Sequence, residues 1–120
     1  MLRLLAIGVF ALLATAANAA SKLYISEYSS IGVANGTIAQ IGAEPVLANQ
    51  LLDFSGGVTS SAAFNAATSY IRVVCDTQCA VLFGTAPTAT TSSKMLPALL
   101  PEYFAVPRGQ SYKISVIAAP

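Results

Sequence analysis

In the stretch KLYISEYSS, Leu23 and Ile25 alternate with Tyr24, Ser26 and Tyr28, a period of two that predicts a strand with one buried face. Asn35-Gly36 within SIGVANGT is a strong turn signal. The following run, TIAQIGAEPVLANQLLDFSGG, is ambiguous, because residues 48–52 would also suit a helical turn. Pro45 upstream and Gly56-Gly57 downstream bracket it, and a strand over 46–54 fits better. A strand or loop edge is expected around 60–64, then strands over 68–75 and 79–84. A Thr/Ser/Ala/Pro loop follows over 85–93. After a short segment come a strand over 102–106, a turn at Pro107-Arg108-Gly109 and a last strand over 112–117. Short strands parted by turn signals every 8 to 12 residues or so predict an all-β fold, a small antiparallel β-sandwich or barrel-like domain over 20–120. No internal repeat and no charged linker divides it.

Residues 1–19 read differently. MLRLLAIGVFALLATAANA carries one early cation at Arg3, an apolar stretch and a small-residue ending, Ala17-Asn18-Ala19. That pattern fits a secretory signal peptide cut before Ala20. The apolar run is short of the ~20 residues that span a bilayer, so a permanent transmembrane helix ranks second. A third reading keeps the segment as an apolar arm, and membrane contact is expected only through residues 1–19 if they are retained.

Composition sharpens the picture of the surface. The chain is 55% hydrophobic and only 9% charged, against about 25% charged in ordinary soluble domains. So few charges solubilise a lone monomer poorly, and neighbouring subunits are expected to cover part of it, as in a homo-oligomer. An ordinary small secreted domain with a Ser/Thr-rich face is the plainer alternative. Net charge is +1, and the six basic residues are scattered, so no nucleic-acid partner is expected.

The inventory for chemistry is thin. Without histidine the chain lacks the usual general base near neutral pH. Glu27, Glu44, Asp53, Asp76 and Glu102 are isolated in sequence, no G-x-S-x-G elbow is present, and the Ser55-Gly56-Gly57 stretch lacks the Lys-Ser/Thr of a phosphate cradle. The expectation is no enzyme, no cofactor and no metal.

The two cysteines, Cys75 and Cys79, enclose Asp76, Thr77 and Gln78. A zinc site needs at least three protein ligands, and there is no histidine and no third cysteine. A thioredoxin-type pair has two intervening residues at a helix N-terminus, not three between strands. The third reading is a staple across a three-residue hairpin, with Cys75 opposite Cys79, Val73 opposite Val81 and Ile71 opposite Phe83. The complementary face would pair Val74 with Ala80, Arg72 with Leu82 and Tyr70 with Gly84. Such a disulfide would contribute ~2 kcal/mol by the loop-entropy relation. In a reducing compartment the same residues would be small buried apolar side chains. Tyr24, Tyr28, Tyr103 and Phe104 are candidates for an adhesive surface, the alternative being that they fill the sandwich.

KLYISEYSSIG, AQIGAEP, AAFNAATSYIRVVCDTQCAVLFGTAPTAT and PEYFAVPRGQSYKISVI together resemble small head-associated structural proteins of tailed bacteriophages and prophages. The similarity covers residues 22–117. Its most recognisable parts are Arg72-Val73 leading to Asp76, Phe83-Gly84 with Pro87 and Ala89, and Glu102-Tyr103-Phe104 with Val106 and Gly109. The resemblance implies a β-sandwich of the virion that decorates or cements a capsid, with capsid or other virion proteins as partners and no catalytic residues. It departs at residues 1–19, an addition that either redirects the chain to export, to the periplasm or medium, or supplies an arm. An exported binding or adhesion module is therefore the alternative function.

Overall fold

The structure, a computed structural model, describes residues 21–120; the apolar segment at 1–19, with its signal-peptide and arm readings, lies outside the described residues. The strands are β1 (Lys22–Tyr28), β2 (Ile31–Ala34), β3 (Thr37–Gly42), β4 (Ala48–Asp53), β5 (Thr59–Ser60), β6 (Tyr70–Cys75), β7 (Cys79–Gly84), β8 (Lys94–Leu96), β9 (Glu102–Ala105) and β10 (Lys113–Ala118). Among the described residues there is no helix, and 48–52 is strand. The first sheet has the order β4-β1-β6-β9 and the second β5-β10-β7-β8, while β2 and β3 form a hairpin of their own. All pairings are antiparallel. The chain is thus all-β and sandwich-like.

The core follows from strand parity. Leu23 and Ile25 on β1 and Ile71, Val73 and Cys75 on β6 point inward from the first sheet. Cys79 and Val81 on β7, Leu96 on β8 and Ile114 and Val116 on β10 face them from the second. Phe54, Phe64 and Val106 close the ends. Each such side chain stabilises by roughly 1.5–3 kcal/mol on full burial.

The hairpin expected at 76–78 is not formed. β6 pairs with β1 and β9, whereas β7 pairs with β10 and β8, so Asp76, Thr77 and Gln78 carry the chain from one sheet to the other. Val73 therefore lies opposite Ile25 and Glu102, and Val81 opposite Val116 and Lys94. The physical reason is economy of apolar area. In a two-stranded ribbon the inward face would still need a cover, and the corner lets the two strands cover each other. The remaining proposed pairs, Ile71 with Phe83, Val74 with Ala80, Arg72 with Leu82 and Tyr70 with Gly84, fall with it.

Turn chemistry places the true hairpin at Asn35-Gly36, where both residues have positive φ, 51° and 75°, as a tight primed turn requires. Its base rests on β1. Gly42 lies over the Tyr28 ring so closely that a Cβ there would stand 2.4 Å from ring carbons. Three of the four sheet edges are short. β5 has two residues and β8 three, β9 has four and lies between Pro101 and Pro107, and β4 is braced by Gln50, whose side chain bonds both the N–H and the C=O of Ala62. Beyond β5, Ser61 and Phe64 continue along β10 through backbone bonds to Ile114 and Tyr112.

Candidate functional site

Cys75 ends β6 and Cys79 begins β7, and the corner between them brings their Cα atoms to 6.4 Å with the sulfurs bonded. Both are fully buried. Strapping bonds surround the corner. The Lys22 N–H donates to Asp76 Oδ1 at 2.7 Å, the Asp76 N–H to the Lys22 carbonyl, and the Leu99 N–H to the Cys75 carbonyl. The Gln78 amide donates to the Pro120 carbonyl. This arrangement constrains a corner; it presents no open thiol to solvent.

The carboxylates are dispersed. No group of three or more His, Cys, Asp or Glu side chains capable of holding a metal occurs among the described residues. Lys22 Nζ meets Asp53 Oδ2 at 2.7 Å in the one ion pair of the described residues. That contact, with further bonds from the Ser55 hydroxyl and N–H, holds the Asp53 carboxyl well below the usual carboxylate range. The same hydrogen bond raises Lys22. Tyr28 donates to Glu44 at 3.1 Å, and its hydroxyl is pushed up first by burial and then by that carboxylate.

Sequence reasoning passed over the most buried polar cluster. Glu27 is 1% exposed. Its Oε1 accepts from the Asn65 N–H at 2.7 Å and the Thr68 hydroxyl at 2.8 Å, and its Oε2 accepts from Gln50 Nε2 at 3.0 Å. Three donors from two segments, β4 and the loop after β5, thus converge on one carboxylate and tie that loop to the first sheet. Parity was the available signal, because Glu27 shares the inward register of Leu23 and Ile25.

The four aromatics named from sequence do not gather. Tyr28 is buried beneath the hairpin base, which leaves it no surface for a partner. Phe104 turns inward, packs on the core and meets Phe83 at a ring separation of 5.0 Å, with Lys94 Nζ 4.8 Å from its centroid. Tyr24 and Tyr103 stand on the outer face of the first sheet, 50% and 36% exposed.

That outer face carries two grooves of mixed chemistry. One groove of about 470 Å³ is lined by Tyr24, Ser26, Asn49, Leu51, Arg72 and Val74. A second, of about 420 Å³, runs on past Tyr28, Glu44 and Tyr103 beneath the β3 end of the hairpin, and the two share Ser26 and Arg72. Strand register puts Asn49, Ser26, Arg72 and Tyr103 in a single row across all four strands. Leu51, Tyr24 and Val74 form the next row. On the other side Tyr70 stacks against Tyr103, 5.7 Å between centroids and 17° between planes.

No family model, curated protein or solved structure matches this chain. Its surfaces must be read from their own chemistry.

Proposed function

We propose that this protein is a non-enzymatic structural component of a virion, decorating or stabilising a bacteriophage capsid through many copies of a weak contact. The observation that carries the reading is the exposed apolar area around a closed core. Val33 and Ile38, directly opposed on the hairpin, are 68% and 67% exposed, Leu82 and Met95 emerge from the second sheet, and Leu99 and Leu100 from the loop before β9. A two-stranded ribbon is marginal in water without a covering surface. Apolar patches on several sides of one small domain suit a subunit packed among neighbours, and symmetry multiplies each contact. The sequence's resemblance to small phage head proteins is what supports a capsid as that assembly.

A second reading, an exported β-sandwich module matured after Ala19, is favoured by the Cys75–Cys79 bond, since disulfides persist in oxidising compartments. Cryo-electron microscopy of purified particles tests the first reading. The hairpin and the Leu99-Leu100 loop should lie against capsid neighbours, and absence of the chain from particles defeats it. Intact mass separates the two, because the exported module lacks residues 1–19.

A further inference from the structure

We infer that the outer face of the first sheet is a binding site for a linear acidic oligosaccharide, with Arg72 receiving a sugar carboxylate and the tyrosines receiving the apolar faces of the rings. The inference does not depend on the virion reading, because none of the apolar patches invoked there lines this trough.

Shape comes first. The two grooves share a floor at Ser26 and Arg72, and together they form an open trough across the strands. Each falls within the size range of small-ligand sites, about 300 to 1,000 Å³. An open trough suits a segment of a longer chain, whereas an enclosed cavity suits a single small molecule.

Spacing comes second. Neighbouring strands lie about 4.8 Å apart, so the row Asn49, Ser26, Arg72, Tyr103 offers a polar group at each of four steps over about 14 Å. That repeat is close to the length of one pyranose unit along a chain. Across the row the guanidinium donates while amide, hydroxyl and phenol can donate or accept, the Ser26 hydroxyl donating to Asn49 Oδ1, and such a mixed set matches the alternating hydroxyls of a sugar. Tyr24 on one flank and the Tyr70–Tyr103 stack on the other supply flat aromatic area where the C–H faces of the rings would rest.

Charge comes third. Arg72 is half-buried in the middle of the row and has no carboxylate within ion-pair distance among the described residues. Lys22 and Asp53, at one end of the sheet, neutralise each other. Glu44 borders only the second groove, where the Tyr28 hydroxyl donates to it. The first groove therefore holds one uncompensated cation among hydroxyls, amides and apolar carbons. A guanidinium fork in that position matches a carboxylate in two-point geometry.

The test is saturation-transfer NMR on the full-length protein with the tetramer of galacturonic acid, beside its fully methyl-esterified form as an uncharged counterpart. Saturation of the acid tetramer, weaker saturation of the ester, and a loss of affinity of about tenfold or more in Arg72→Ala support the site. Tyr24→Ala should weaken binding as well, Leu82→Ala on the opposite sheet should not, and rising salt should weaken the wild type. Both Arg72 and Tyr24 leave the core untouched, and a thermal melt of each variant checks this. No saturation with either sugar overturns the inference, as does equal binding of acid and ester or indifference to Arg72→Ala. If Arg72→Ala or Tyr24→Ala instead dissociates an oligomer in sedimentation and no sugar binds, the face is a subunit interface and the inference fails.

Discussion

Replacing Glu27 by glutamine changes one oxygen to an amide nitrogen and leaves volume nearly the same, so the cost reports on the polar interactions of this carboxyl group and not on packing. If the new NH₂ takes the Oε2 position it meets Gln50 Nε2, donor against donor. Turning the Gln50 amide over would relieve that clash but would break its bonds to the Ala62 N–H, 2.9 Å, and C=O, 3.3 Å. If the NH₂ takes the Oε1 position, the Asn65 N–H loses its acceptor, and only the Thr68 hydroxyl can rotate to compensate. Either way one hydrogen bond disappears and one part-buried donor stands unpaired, which costs about 1–3 kcal/mol. That is a large share of the ~5–15 kcal/mol that holds a domain together. Urea denaturation followed by far-ultraviolet circular dichroism should show a lowered midpoint with an unchanged slope. Thr68→Val, which removes one of the donors, should cost about 1–2 kcal/mol in the wild type and measurably less beside Glu27→Gln. A Glu27→Gln protein within about 0.5 kcal/mol of wild type, or strict additivity with Thr68→Val, would refute the convergence of donors as a stabilising tie.

Replacing Cys75 and Cys79 together by alanine should lower stability by ~2 kcal/mol, the loop-entropy value for so small a ring, and dithiothreitol should lower the wild-type melting temperature in the same direction. Gly42→Ala sets a Cβ 2.4 Å from the Tyr28 ring, so the hairpin should lift off β1. Amide exchange should then quicken over β2 and β3 while β6 and β10 stay protected. The ion pair of Lys22 with Asp53 gives a signed pH dependence. Because the folded carboxyl titrates below its unfolded value, its stabilisation is present above the ordinary aspartate range and is lost as pH falls through the lowered one. Melting temperatures of wild type and Asp53→Asn should therefore differ at neutral pH and converge in strong acid, and a constant gap would contradict the assignment. Val33→Ser with Ile38→Ser should raise monomer solubility and reduce incorporation into particles, as measured by sedimentation and by mass spectrometry of the particle.

Alternation along the chain disclosed which residues face inward but not which strands meet. Residues 71, 73, 75, 79 and 81 share parity because the step from Cys75 to Cys79 is even. A hairpin would lay them side by side on one face, and the corner sets them against each other across the core; both satisfy the same pattern. The Asn35-Gly36 turn was legible, since only a narrow set of residues accepts positive φ at both places. Asn49 and Arg72 were not legible as neighbours. They lie on β4 and β6, and only β1 between them, with Ser26 opposite both, brings them into one row. Tyr28 was legible as an aromatic on the outward register, and its burial comes from a hairpin belonging to neither sheet.

The blunted edges of the two sheets have a consequence for life at high copy number. Unsheltered strand edges recruit one another, and a chain this rich in apolar residues, crowded with its own kind, would be prone to fuse into continuous ribbons. Here three of the four edges offer runs of two, three or four residues, one of them between prolines, and only β4 offers six, with its Gln50 side chain tying it to Ala62. Three of the four edges thus offer a neighbour little backbone to pair with, so densely packed copies meet there through side chains and can still separate as individual molecules.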